Sequence, residues 1–141
     1  MYRNVTERCA GVRVLSAARS MTRLFDAALR PTGLTITQFT LLITIGRTRP
    51  ESVSKIGTWL NIDRTSLTRN IKLLEEAGYV TRGAEGPGRR RRIQLNQAGH
   101  DILQAAYPKW LAVQERIEAE LSEEVYDNTM ASLGVLNKLE A

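Results

Sequence analysis

Arg64, Thr65, Ser66, Thr68, Arg69 and Lys72 crowd into nine consecutive positions of a 141-residue chain. Cations and short hydroxyls at this density suit a polyanion: a guanidinium can donate two parallel bonds to the edge of guanine, while serine and threonine reach phosphate oxygens and base edges. On a helix, Thr65, Arg69 and Lys72 share one arc, with Arg64, Ser66 and Thr68 flanking it near the N-terminal end. The acids of this stretch, Glu75 and Glu76, are confined to its last turn. An ordinary solvated helix mixes signs along its length, whereas a helix lying in a DNA groove keeps carboxylates away from the phosphates. A second basic group, Arg89, Arg90, Arg91 and Arg92, follows the loop-forming run Gly83-Ala-Glu-Gly-Pro-Gly88.

The elements that must position these groups are legible around them. Asp63 suits an N-cap, its carboxylate accepting from the free amides of the first turn. Gly78 suits the left-handed residue that closes a helix. Between them Leu67, Ile71 and Leu74 recur at i, i+4, i+7 and make one narrow apolar stripe. Upstream, Ser52 can cap a short helix over residues 53–60, with Ile56 and Leu60 inward. Asn61 and Ile62 then make a tight connection into the next helix. Two short helices joined so closely form a helix-turn-helix, whose second helix enters the major groove. Residues 79–82 and 93–95 read as short strands around the Gly/Pro loop, a hairpin with a basic tip. The pattern predicts a winged helix-turn-helix over residues 52–95.

Taken in order, Gly33-Leu-Thr-Ile-Thr-Gln-Phe39 with Leu41-Leu42, Ile62-Asp-Arg-Thr-Ser-Leu-Thr-Arg69, Leu74-Glu-Glu-Ala-Gly-Tyr-Val80, the arginines 89–92 and Leu95-Asn-Gln-Ala-Gly99 make a specific set. In them the chain resembles the MarR (multiple antibiotic resistance regulator) family of bacterial transcription factors, over residues 13–139. It departs from the family at Pro87-Gly88, where an aspartate usually precedes the wing arginines, and at Leu95-Asn96, where Leu-Thr is usual. Asn96 still supplies a helix cap.

Composition agrees with one globular domain, residues 1–141, of ordinary hydrophobic (43%) and charged (25%) content. Net charge is +5, unevenly spread: residues 1–110 hold 18 basic and 8 acidic residues, hence +10, and residues 111–141 hold 2 and 7, hence −5. One cysteine and one histidine exclude an internal disulfide, a cysteine cluster and a His-rich metal site, and leave a catalytic dyad only to coincidence. The expectation is a protein that is not an enzyme and uses no cofactor or metal. No apolar run approaches the ~20 residues of a bilayer span. The first residues lack the apolar core of a signal peptide, so the expected location is cytoplasmic.

The remaining chain predicts helices. Residues 7–30 read as one long helix ended by Pro31. Thr35-Ile-Thr-Gln38 is a capping box opening a helix to about residue 47. Asn96 caps a long helix to about residue 119 that Pro108 should kink or split. Ser122 caps a last helix to about residue 139. Terminal helices of this apolar content cannot be covered by an approximately 45-residue reading head, and a two-fold dimer is the simplest way to bury them. The fold class expected is mainly α with a small β-hairpin wing, the winged helix-turn-helix occupying residues 33–99. Residues 1–32 and 100–141 form the helical dimerisation region, and the resemblance implies the same interlocked homodimer.

The function expected is a sequence-specific DNA-binding transcriptional regulator, a repressor on a pseudo-palindromic duplex operator, with Arg64, Thr65, Ser66, Thr68, Arg69 and Lys72 on the recognition helix. The resemblance adds Arg89, Arg90 and Arg91 at the wing, for phosphates or a narrow minor groove, and leaves Arg92 to anchor the strand. Phe25, Phe39, Trp59 and Trp110 read first as core. The resemblance also implies a small aromatic or anionic effector between dimer helices and winged domain, where Phe39 and Trp59 would line a pocket and Arg13 or Arg23 would hold a carboxylate. His100 reads as a surface residue. Cys9, beside Arg8 and Arg13 near a helix start, offers a thiol-based oxidant sensor as the alternative trigger. A ligand is favoured, because Cys9 has no second cysteine in its own chain. The rival from another class is a winged-helix protein-interaction module without DNA binding; the arginine-rich wing beside a Ser/Thr/Arg helix face favours nucleic acid.

Overall fold

In the computed structural model, which describes residues 1–48, 50, 53–85 and 91–139, the chain is mainly helical with one two-stranded antiparallel sheet. The helices are α1 (Tyr2–Arg8), α2 (Ala10–Leu29), α3 (Ile36–Thr48), α4 (Val53–Leu60), α5 (Arg64–Glu76), α6 (Gln97–Glu120) and α7 (Glu123–Leu136), with β1 (Val80–Glu85) and β2 (Arg91–Leu95) between α5 and α6. Ser52, Arg89 and Arg90 lie outside the described residues.

The caps expected from sequence form. Thr35 and Gln38 bond reciprocally, the Gln38 amide nitrogen donating to Thr35 Oγ1 at 3.2 Å and the Thr35 amide to Gln38 Oε1 at 3.0 Å. Asn96 Oδ1 accepts from the Gly99 amide at 2.9 Å, and Ser122 Oγ from the Val125 amide at 3.4 Å. Gly78 takes φ +73, the left-handed value that closes α5.

Two expectations need correction, and at Pro108 one of two alternatives is removed. The first helix is two: Cys9 is extended (φ −73, ψ 114) between α1 and α2. Val5 and Thr6 are β-branched, the Thr6 hydroxyl bonds back to the Tyr2 and Arg3 carbonyls, and every α1 residue is exposed, so no packing holds the helix straight. Pro108 does not split α6, which is helical throughout Gln97–Glu120. Pro108 is exposed, while Ala106 and Val113 on either side are buried and Trp110 packs on the core, so the ring is accommodated on the solvent side. Trp59 is not core: 52% of it is exposed on α4.

One apolar cluster seats the reading head. Leu29, Leu41, Leu42, Ile45, Ile56, Ile71, Ile93 and Ala106 are fully buried, drawing together α2, α3, α4, α5, β2 and α6. No buried side-chain nitrogen or oxygen among the described residues lacks a partner. The tightest seam joins α6 to the hairpin: a Cβ at Gly99 would stand 2.2 Å from the Tyr79 carbonyl oxygen. Backbone cannot yield as a side-chain tip can, so Gly99→Ala should destabilise the fold by about 1–3 kcal/mol, the usual penalty of overpacking. Denaturant midpoints check this; an unchanged midpoint would show that the seam opens freely.

Candidate nucleic-acid interface

The recognition helix is built from the cap inward. Asp63 is extended (φ −61, ψ 151) and its Oδ1 accepts from the Ser66 amide at 2.9 Å. The Ser66 hydroxyl bond, and then its amide, hold the Asp63 carboxyl below the ordinary carboxylate range. A carboxyl of lowered pKa contributes stability that is present above its unfolded pKa and lost as pH falls through its folded one. Acidification should therefore destabilise the wild type more than Asp63→Asn, which keeps an acceptor without the charge. Parallel acid titrations for both proteins would discount the cap if they destabilised equally.

The turn before this cap is equally specific. Asn61 has φ +51, a left-handed value that asparagine tolerates better than other side chains do, and the Ile62 amide donates to the Gly57 carbonyl at 3.0 Å. On the inward side of α5, Leu67, Ile71 and Leu74 are buried to 3%, 0% and 1% exposure. That stripe fixes the rotation of the helix and hence what it offers to solvent.

Arg64, Thr65, Ser66, Thr68, Arg69 and Lys72 are all exposed on α5. Thr68 Oγ1 donates to the Arg64 carbonyl at 2.8 Å, leaving the oxygen lone pairs outward. Lys72 lies 3.6 Å from Glu76, an exposed i,i+4 pair that competition from phosphate can break. Arg64 and Arg69 have no ion-pair partner among the described residues, so two guanidinium forks stand free near the start and middle of the helix. Of the wing arginines, Arg91 is a β2 residue whose backbone pairs with Glu85. Arg92 is exposed and makes no side-chain bond to a described residue, so nothing there shows it anchoring the strand.

Arg82 is the residue the sequence reading missed. It pairs with Ile93 across the hairpin and shares the inner face with that fully buried side chain, which turns its guanidinium toward α5. There it grips Glu75 with two bonds, Nε to Oε1 and Nη2 to Oε2 (the latter 3.0 Å). The signal was present: Val80 faces the core, so alternation puts Arg82 on the same side of the strand, from which its exposed side chain reaches α5. Beyond Arg82 the register shifts, three steps of β1 against two of β2. Such a bulge bends a strand and increases its local twist.

A cleft of about 710 Å³ opens beside the recognition helix, lined by α4, the turn, α5 and Arg82 of β1, with Arg64, Thr68 and Arg82 among its polar groups and Val53, Ile62 and Leu67 among its apolar ones. Neither this cleft nor the shallower ones around Ile43 and Tyr107 and around Val125 and Leu133 is lined by Arg13, Arg23, Phe39 or Trp59. Phe39 is buried, 6.0 Å centroid to centroid from Trp110, which also stacks on Tyr107 at 5.7 Å. Cys9 is partly exposed at the N-cap of α2, with no side-chain cap bond. His100 is exposed, on the first turn of α6. Among the described residues no three His, Cys, Asp or Glu side chains come together as a metal site, and no helix is long and apolar enough to cross a membrane.

Comparison with known proteins places this arrangement. The family model described as MarR family matches residues 32–91, which include α3, α4, α5 and β1. YwoH of Bacillus subtilis, an uncharacterized HTH-type transcriptional regulator, is 27% identical over 108 residues, 77% of this chain and 79% of its own. The transcriptional regulator MosR of M. tuberculosis is 33% identical, with a TM-score of 0.80 over 92% of this chain and 96% of that one. The same regulator in complex with DNA gives 32% identity and a TM-score of 0.84, covering 93% and 95% of the two chains. With the recognition helix, turn and wing in the order these proteins share, the chain belongs to the MarR family of transcriptional regulators.

Proposed function

We propose that this chain is a homodimeric, sequence-specific DNA-binding regulator that represses from a pseudo-palindromic operator. The observation that carries this is the α5 face: Arg64 and Arg69 stand free and exposed among short hydroxyls, on a helix whose other side is locked into the core. The DNA complex of MosR, a relative similar over almost its whole length, supports the same use of the fold here. Arg64, Thr65, Ser66, Thr68, Arg69 and Lys72 enter the major groove, and Arg89, Arg90 and Arg91 lie along the neighbouring backbone or minor groove. The helix-turn-helix and wing of residues 33–99 form the reading head, and residues 1–32 and 100–141 the dimerisation region. Such a protein acts in the cytoplasm, where a bacterial chromosome lies. Footprinting tests the proposal: two protected half-sites about one helical turn, roughly 10 bp, apart are expected. A single half-site, or no salt-dependent retention on DNA, overturns it in favour of a protein-docking winged helix.

Release from DNA follows from a small anionic aromatic ligand that binds the DNA-incompatible spacing better than the competent one. The cleft beside α5 has suitable chemistry, since the unpaired Arg64 can hold a carboxylate while Val53, Ile62 and Leu67 offer an apolar wall to a ring. The earlier expectation of Arg13, Arg23, Phe39 and Trp59 is the weaker location, because Phe39 is already filled against Trp110. The alternative trigger is oxidation of the partly exposed Cys9. DNA release by salicylate that survives Cys9→Ser supports the ligand; peroxide release that disappears in that variant supports the thiol.

A further inference from the structure

The cations around the recognition helix are not all in one state. Arg64 and Arg69 are exposed and have no ion-pair partner among the described residues. Lys72 and Arg82 are each held by one of the two acids that end α5, Glu76 and Glu75, and the two pairs differ in kind. Lys72 meets Glu76 through one contact of 3.6 Å between side chains 74% and 57% exposed, so water and phosphate compete for it freely. Arg82 meets Glu75 fork to fork, Nε on Oε1 and Nη2 on Oε2, with side chains only 37% and 28% exposed. A bidentate pair of fixed geometry, partly withdrawn from water, is the kind of surface ion pair that holds.

The place of this pair gives it a consequence for DNA. Arg64, Thr68 and Glu75 recur along one side of α5. Arg82 reaches that side from the hairpin and borders the same cleft as Arg64 and Thr68, two groups of the DNA-facing set. An unpaired guanidinium there would be one more cation for the phosphates, and phosphate contacts carry no sequence information. We propose that Glu75 is a specificity-determining residue: by gripping Arg82 it withholds from the DNA backbone a cation that would bind any sequence, and it keeps the wing at the angle that only the operator complex needs. Glu75 acts through Arg82 and is a positioning residue. This rests on the DNA reading of α5 and adds what limits the share of binding that is blind to sequence.

Salt titration of binding by the full chain tests it, on a duplex that the wild type enriches from a random pool and on a scrambled duplex of the same composition. Glu75→Gln keeps the size and a polar tip but drops the charge. Binding to the scrambled duplex should tighten roughly three- to tenfold at low salt, and the slope of log K against log salt should steepen by about 0.9, one more phosphate neutralised. The enriched duplex gains the same contact but loses the fixed wing, so discrimination between the two should fall by a similar factor. Glu75→Gln combined with Arg82→Gln should return the slope to the wild-type value, because the freed cation is gone. A slope that stays steep without Arg82 would trace the gain to the missing carboxylate and overturn the proposal. So would a Glu75→Gln protein with unchanged slope and discrimination. A variant that melts early and binds both duplexes more weakly at an unchanged slope would make Glu75 a purely structural contact, and overturns it too. A wild type that enriches no duplex would instead overturn the sequence-specific regulator beneath it.

Discussion

Arg69→Ala is expected to weaken operator binding by about 1–3 kcal/mol, roughly 5- to 150-fold, and to relax the preference at one base position. The expectation rests on what Arg69 does not do in the free protein. It is exposed and has no ion-pair partner among the described residues, so its removal leaves no orphaned charge and the melting temperature should not move. Any loss therefore belongs to the complex. Titration on cognate and random duplexes over a range of salt separates base reading from phosphate contact. Arg90→Ala supplies the contrast: it should weaken both duplexes evenly and flatten the salt slope by about one. Equal losses on both duplexes for Arg69→Ala would assign that residue to the backbone and base reading to another.

Ile71→Ala should do the reverse, damaging the protein before it damages the contact. Ile71 is fully buried in the stripe that seats α5. Truncating it removes transfer free energy and leaves a cavity, typically 2–5 kcal/mol in all. Against a domain stability of about 5–15 kcal/mol, that is a large share. Urea unfolding should show the midpoint fall with little change in slope, and at low temperature the folded fraction should still bind operator with near wild-type affinity. A normal midpoint with poor DNA binding would mean that α5 merely rotates in its seat, and that the stripe fixes aim rather than stability.

The reading head was legible because its signals are local. Asp63, Gly78, the Thr35–Gln38 box and Asn96 announce helix ends within three or four residues, and Leu67, Ile71 and Leu74 announce the buried side within two turns. What failed depended on partners distant in sequence. Trp59 looks like core from its type alone, yet α4 turns it outward because Ile56 and Gly57 take the inward positions. The break at Cys9 has no proline or capping side chain to mark it, and no tertiary contact of α1 to prevent it. The Arg82–Glu75 grip needed strand alternation and helix rotation to be combined, since neither residue shows its partner on its own.

Asn96 does more than cap. Its Nδ2 donates to the Gly78 carbonyl while its amide nitrogen donates to that of Tyr79 at 3.2 Å. The last residue of the turn that closes α5 is thereby bolted to the first turn of α6, as Arg82 bolts the hairpin to the end of α5. Recognition helix and wing then share one mount, and α6 is its shaft, 24 residues and so about 36 Å long. A rotation of about 5° about the far end of such a shaft carries the mount some 3 Å sideways, by the same helix geometry. The reading head needs no internal rearrangement to miss its groove. In the proposed dimer, a small tilt where two such shafts meet would be geared up into a misfit at both half-sites.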